Sequence, residues 1–409
     1  MRKVAAFTAT VGVGTVLGFV SVPTLVGSLG AQAWATIALC QAVCQLAGVA
    51  VAFGWGVVGP STVAHTAAPR RPQLYADSLV GRGYLFLVTA AATWAVLVAL
   101  TRGAEPVLLL LGAVAYLLPF AGGSWYFVGE SRPGRLFFFD SLPSLLGTIA
   151  GLIGAALTRD ALVFLGAQAL GNAVAVAIDA VVILRSAPAP IVLDPRPATV
   201  LRALGGQRHA VASAALTGLY VSTPVMAVQL LDPAVLPVYV MADRFFRYAS
   251  LAFAPVQQYF QGWIPGPVGL VRRAVAATWV AAGFGLAGGL AIALLSPWAS
   301  LVLSHGVIEV APALSIPFGI AFVGVTVASV VGYACLVALG RSSALAISAL
   351  LGAIVGIPLM IVFAALRLPP GVAWAVALSE LIVAGYQVGA FRRALAQESR
   401  TPEGAGAPG

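Results

Sequence analysis

Three charges lie together inside an otherwise apolar stretch: Asp243, Arg244 and Arg247 in "PVYVMADRFFRYASLAFAPVQQYF", residues 237 to 260. On a helix Asp243 and Arg247 stand one turn apart and can pair at i,i+4. Arg244 lies beside them and leaves one net positive charge unless Glu380, far along the chain, balances it. Guanidinium forks match the oxygens of phosphates and carboxylates, so such an excess suits an anion. Placing an Arg or Asp in the middle of a bilayer costs about 2.5 to 3.5 kcal/mol on the insertion scale, so such groups normally face a bundle interior or a wet cavity. Two readings follow: a neutral Asp243–Arg247 pair that is merely structural, or the wall of an anion-binding cavity.

Helical geometry places further polar groups on the same face. Asp243, Arg247, Ser250, Ala254, Gln257 or Gln258, and Gln261 succeed one another at three- and four-residue steps, which makes one small-and-polar stripe. Phe245, Phe246, Leu251, Phe253 and Val256 fall elsewhere and can meet lipid or other helices. Tyr220 and Thr223, one segment earlier, would add hydroxyls to a polar lining. Glu380 has three roles open to it: counter-ion to an arginine, a proton or sodium site for coupling, or a helix–helix contact. Asp179 is expected at an interface, and Asp140 at the start of a helix, where its charge complements the dipole.

Other chemistries have little support. Cys40 and Cys44 are one turn apart and Cys335 stands alone, as buried small hydrophobes would. The chain has no Walker loop, zinc-protease helix or nucleophile elbow, no metal motif, and only three scattered histidines, His65, His209 and His305. No catalytic residue, metal or cofactor is therefore expected.

The elements that must carry the stripe follow from composition. Of 409 residues, 60% are hydrophobic and 9% charged, against about 25% charged in a soluble domain. Apolar runs of about 20 residues, the length that spans hydrocarbon as a helix, recur about twelve times. They cover roughly 5–29, 33–59, 81–101, 106–128, 137–157, 162–184, 211–231, 236–260, 274–297, 312–337, 343–366 and 370–391. Only helices fit, because lipid leaves the backbone no water to bond, and the period-2 pattern of barrel strands is absent. The expectation is an all-α, multi-pass membrane protein. A cleaved leader is weighed against, since the first apolar stretch is longer than the usual 7 to 15 residues.

An even number of crossings puts both termini on one side. Most basic residues, among them Arg2, Lys3, Arg70, Arg71, Arg82, Arg132, Arg135, Arg185, Arg272, Arg273, Arg341, Arg392 and Arg393, fall on that side; Arg102, Arg159 and Arg367 fall opposite. By the positive-inside rule both ends are cytoplasmic. Trp34, Trp125, Trp298 and Trp374 near helix ends suggest an aromatic belt.

The polar segment 185–210, rich in Pro, Gly and Arg, divides the helices six and six. The expected domains are a first six-helix lobe (1–184), a cytoplasmic linker (185–210), a second lobe (211–391) and a disordered tail (392–409). The halves echo each other. "GFVSVP" in the first segment matches "GLYVSTP" in the seventh, and the Gly129 turn after the fourth matches the Gly340 turn after the tenth. Such matches suggest an internal duplication with pseudo-twofold symmetry. Leu39, Cys40 and Val43 would then be the counterparts of Asp243, Arg244 and Arg247, so the scaffold itself does not need the charges.

With these residues in place a family resemblance appears. "SWYFVGESRPGR" at 124–135 resembles the aromatic W-x-x-x-G turn followed by basic residues of the polysaccharide flippases. "LPVYVMADRFFRYASLAFAPVQQYFQGWIP", "LSHGVIEVAPALSIPFGIAF" and "LVALGRSS" resemble that family's later segments. These are the O-antigen and capsular flippases of the multidrug/oligosaccharidyl-lipid/polysaccharide exporter superfamily. The resemblance implies an inner-membrane exporter that moves an undecaprenyl-diphosphate-linked oligosaccharide from the cytoplasmic to the periplasmic leaflet by alternating access, driven by a proton or sodium gradient. A monomer is expected, with a glycan polymerase and glycosyltransferases as candidate partners. Arg247 and Arg244, with Asp243, would meet the diphosphate, and the glutamines and hydroxyls the sugar. A drug or cation antiporter is the first rival, although the first three segments carry no intramembrane Asp or Glu. A membrane-embedded polymerase or glycosyltransferase is the second, although the loops are short and no carboxylate–histidine set is visible.

Overall fold

The computed structural model describes residues 2–193, 208–264, 269–341 and 343–398. Residues 194–207 of the expected linker and 399–409 of the expected tail lie outside the described residues. What is described is helices and turns, with no strand among the described residues. Nine of the described spans are long and apolar enough to cross a membrane, and Val16–Leu29 and Gly218–Leu231 are shorter apolar helices. The chain is a multi-pass helical membrane protein.

The first compact unit comprises residues up to Pro237 together with Leu303–Val307. Its helices are α1 (Arg2–Leu29), α2 (Ala31–Ala52), α3 (Trp55–His65), α4 (Arg71–Leu100), α5 (Pro106–Ala121), α6 (Ser124–Gly129), the single turn α7 (Pro133–Arg135), α8 (Leu142–Thr158), α9 (Ala161–Arg185) and α10 (Arg208–Leu231). The second unit comprises Val238–Val302 and the residues from Ile308 onward. It holds nearly all of α11 (Leu236–Trp263) and α12 (Leu270–Leu303), then α13 (Pro312–Val330), α14 (Ser343–Ala365) and α15 (Pro369–Glu398).

Several expected continuous segments are interrupted. The second breaks at Phe53 and Gly54, both at positive φ, into α2 and α3. The fourth breaks at Gly122–Gly123 into α5 and α6. The fifth starts earlier than its hydropathy suggests, through α7 and a wide π turn over Leu136–Ser141, and the tenth ends in a similar turn over Val331–Leu336. Apolar length measures how far the chain stays in lipid, and it is blind to a local change of helical pitch. The turns at Gly129 and Gly340 fall where the sequence puts them: α6 ends at Gly129, and Gly340 has φ 69°.

In the first unit α2 is central, packed on α1, α4, α5 and α10, while α9 packs on α5 and α8. In the second, α15 lies against both α13 and α14. Lipid tails are as apolar as leucine, so helices associate through close packing of small residues and a few polar links. Both devices are present. A Cβ added to Gly147 of α8 would come 2.7 Å from Cα of Gly171 on α9, and one added to Gly289 of α12 would come 2.5 Å from the carbonyl oxygen of Gly319 on α13. Thr148 Oγ1 donates to Gln168 Oε1 at 2.7 Å, Asn172 Nδ2 to the Ala115 carbonyl at 2.8 Å, and Ser379 Oγ to the Gly352 carbonyl at 2.8 Å. The cysteines are buried, as expected. The tryptophan belt is only partly present: Trp298 and Trp374 are exposed, whereas Trp34 and Trp125 are core residues.

Gly147→Leu and Gly289→Leu should each destabilise the fold, by about 1 to 3 kcal/mol from overpacking. Gly283→Leu, on the same helix as Gly289 with nothing within 4 Å of its would-be Cβ, should leave the thermal unfolding midpoint in detergent unchanged. Equal midpoints for all three would remove the close approach as the source of cohesion.

Candidate functional site

The polar stripe forms on α11 in the second unit. Its helix is anchored through aromatic rings: Tyr239 and Phe246 meet Phe318 of α13 at 5.6 and 5.7 Å, and Phe253 meets Phe284 of α12 at 5.0 Å. That anchoring fixes which side of α11 is buried. Tyr239 to Asp243 are all buried, and from Arg244 to Ser250 every residue is half-buried.

Arg247 Nε donates to Asp243 Oδ2 at 2.5 Å, with the arginine side chain 36% exposed and the aspartate 9%. The i,i+4 pair anticipated from spacing is therefore formed. Arg244 points the other way along the helix, Nη1 donating to the Tyr248 hydroxyl at 3.3 Å. Ser250 Oγ donates to the Phe246 carbonyl at 2.8 Å, which pins it to its own helix. Farther down, Gln257 is half-buried and Gln258 and Gln261 are exposed.

The remaining expected site residues sit on other helices. Glu380 is half-buried near the middle of α15, opposite Gly324 of α13, where an added Cβ would come 2.9 Å from the Glu380 carbonyl carbon. Tyr220 and Thr223 belong to α10 of the first unit; both are half-buried, and Thr223 Oγ1 donates to the Leu219 carbonyl at 2.6 Å. Leu39, Cys40 and Val43 are buried on α2, as apolar core residues should be.

A second charged group lies in the first unit. Arg82 of α4, expected on the cytoplasmic face, is instead 1% exposed and held inside the bundle, because its fork is taken up by a broken helix and not by water. It donates through Nη1 to the Gly122 carbonyl and through Nη2 to Ser78 Oγ at 3.1 Å, and its guanidinium carbon lies 5.5 Å from the centroids of the Tyr75 and Trp125 rings. Asp179 of α9 is fully buried, not interfacial, and its Oδ2 accepts the Gly123 N–H at 2.8 Å. Asp140 does not open a helix: it lies within the π turn, several residues after α7 begins, with its carboxyl facing that of Asp179. The two glycines at the break between α5 and α6 would otherwise leave a carbonyl and an N–H unpaired in the bundle. Arg82 takes the first and Asp179 the second. The available signal was "AGGSW" at 121–125, a helix-breaking pair inside an apolar run, which calls for polar partners from other helices.

Solved structures similar to this chain share this helical path. One is the lipid II flippase MurJ in an inward closed conformation, with TM-score 0.70, 14% identity, and coverage of 94% of this chain and 87% of that one. Another is an inward-facing multidrug resistance MATE family transporter of the MOP superfamily, at TM-score 0.63 and 16% identity, covering 95% and 96%. A eukaryotic MATE transporter follows at 0.58 and 13%, covering 98% of each chain. No protein-family model matches the chain, and neither does any curated protein sequence. The chain thus shares its fold with these lipid II flippase and MATE transporter structures.

Arg82→Met should destabilise the first unit by about 1.5 to 3 kcal/mol, the range for a lost hydrogen bond to a charged group. Arg82→Lys should restore only part of this, because a single ammonium cannot reproduce the planar fork. Thermal unfolding followed by tryptophan fluorescence measures both, and an unchanged midpoint for Arg82→Met would contradict the assigned contact.

Proposed function

We propose that this chain is a lipid-linked oligosaccharide flippase, moving an undecaprenyl-diphosphate-linked glycan from the cytoplasmic to the periplasmic leaflet by alternating access. The observation that carries the reading is the pair of half-buried guanidinium groups of α11, Arg247 on its polar stripe and Arg244 beside it. In a segment otherwise built for lipid, such groups suit a diphosphate. Arg247 ranks ahead of Arg244 because it shares the stripe with Ser250, Gln257 and Gln261. Asp243 orients it. Gln257, Gln258, Gln261, Ser250, Tyr220 and Thr223 supply hydrogen bonds suited to sugar hydroxyls. Glu380 is the candidate coupling group or counter-ion, under a proton or sodium gradient. Support also comes from the fold, since one of the similar structures is that of a lipid II flippase. The distribution of arginines supports a cytoplasmic-membrane location with both termini in the cytoplasm.

The similarity to MATE structures, which extends over nearly the whole of both chains, favours a second reading, export of drugs or cations. The apolar first three segments weigh against it, since a cation carrier there would want an acid.

The double variant Asp243→Asn/Arg247→Gln separates a structural pair from a binding group, because it removes both charges and strands neither. It should insert and unfold like the parent, yet translocation of a lipid-linked oligosaccharide in proteoliposomes, read by lectin access to the outer leaflet, should fall about tenfold or more, the scale of one lost charge-assisted bond. Leu251→Ala, at an exposed apolar position on the same helix, should translocate normally. Full translocation by the double variant would make the pair structural. Transport of a cationic drug with no glycan movement would assign the chain to the second reading.

A further inference from the structure

The two carboxyl groups behind the α5–α6 break make an arrangement that unmodified charges do not explain. Asp140 and Asp179 face each other within reach of a side-chain hydrogen bond. A Cβ on Gly122 would lie 3.3 Å from Asp140 Oδ1 and 3.7 Å from Asp179 Oδ2, so both carboxyls crowd the same glycine. Asp179 is fully buried, and while its Oδ2 accepts the Gly123 N–H, its Oδ1 has no donor. An acceptor this deeply buried with nothing to accept is rare in a folded chain and marks a missing partner.

The surroundings select the partner. On α4, Arg82 and Tyr75 face the pair; on α9 and in the π turn the titratable groups are the two aspartates themselves. After α6, Glu130 is engaged by Arg135 at 3.5 Å and by Arg132 at 3.9 Å, with both arginine side chains more than a third exposed. Trp125 Nε1, buried beside Arg82, is likewise without a hydrogen-bond partner. One guanidinium against two carboxylates leaves a net negative charge in a poorly solvated place, and two carboxylates in contact cannot both stay ionised without strong repulsion. A metal cation is a poor remedy, because the Gly122 carbonyl is already taken by Arg82 and the guanidinium repels a second cation. A proton needs only the space between two oxygens.

We propose that Asp140 and Asp179 form a proton-binding site that holds one shared proton, making the Arg82–Asp140–Asp179 group electrically neutral. The proton lies between the facing carboxyls. Its loss would set two negative charges against each other beside the Gly123 N–H, at the point where the crossing breaks. The site lies within the first unit and does not depend on what the chain transports.

Infrared spectroscopy of the purified full-length chain in nanodiscs tests this directly, since a protonated carboxyl shows a C=O stretch that a carboxylate lacks and that shifts in heavy water. At neutral pH the parent should show such a band equivalent to one carboxyl per chain, lost in Asp140→Asn and in Asp179→Asn but retained in Asp243→Asn. The amide oxygen of Asp179→Asn still accepts from Gly123; should that variant not fold, the half-buried Asp140→Asn gives the same reading. Raising sodium at fixed pH should leave the band untouched. A spectrum unchanged in the foldable variants, or a band that sodium abolishes, would overturn the proposal.

Discussion

Everything in this molecule answers to one constraint: in hydrocarbon each backbone N–H and C=O must find a partner within the protein. Helices meet it along their length, which is why almost every described residue is helical or in a turn between helices. The constraint bites where a helix stops. At Gly122–Gly123 the freed groups are taken by Arg82 and Asp179. Between α12 and α13 the Val310 N–H finds Ser300 Oγ at 3.0 Å. At the turn from α4 to α5, Trp94 Nε1 takes the Pro106 carbonyl at 2.9 Å, and the last turn of α4 receives Gln229 Nε2 at its Leu100 carbonyl. The polar side chains in this apolar sequence are thus largely explained by where the backbone needs them.

Measured against that constraint, the α11 trio is unusual. Asp243 and Arg247 pair within one helix, and Arg244 reaches the Tyr248 side chain on that same helix. Neither contact repairs a broken backbone, and the corresponding positions on α2 are filled by Leu39, Cys40 and Val43 in a closed core. Under the proposed function a ligand, and not folding, accounts for charge kept at an energetic disadvantage in lipid.

How much could be read in advance differs between the two charged groups for a geometric reason. The α11 pair is local: its spacing of four is visible in one dimension, and helical periodicity alone places Ser250 and Gln257 beside it. The Arg82 group is assembled from α4, the π turn and α9, parts separated by dozens of residues, so no window of sequence contains it. Hydropathy placed most of the helices, because that signal depends only on length in lipid, although the charged α11 is not among the nine described spans long and apolar enough to cross a membrane. It missed the breaks within the second and fourth crossings and the π turn ahead of the fifth, because pitch changes carry no hydropathy mark. That is why Asp140, expected at a helix start, turned out to lie inside one.

The same reasoning explains how the chain shares a fold with MurJ at 14% identity. Hydrocarbon fixes the backbone path through hydrogen bonding and length, while side chains on lipid-facing surfaces need only be apolar and can drift freely. At helix contacts the requirement is smallness rather than identity, as the Gly147–Gly171 and Gly289–Gly319 approaches show. Fold similarity in this setting therefore measures a solvent constraint and cannot select among substrates as different as a lipid-linked glycan and a drug. Selection has to come from polar positions that neither lipid nor backbone demands, such as those the proposed function assigns to α11.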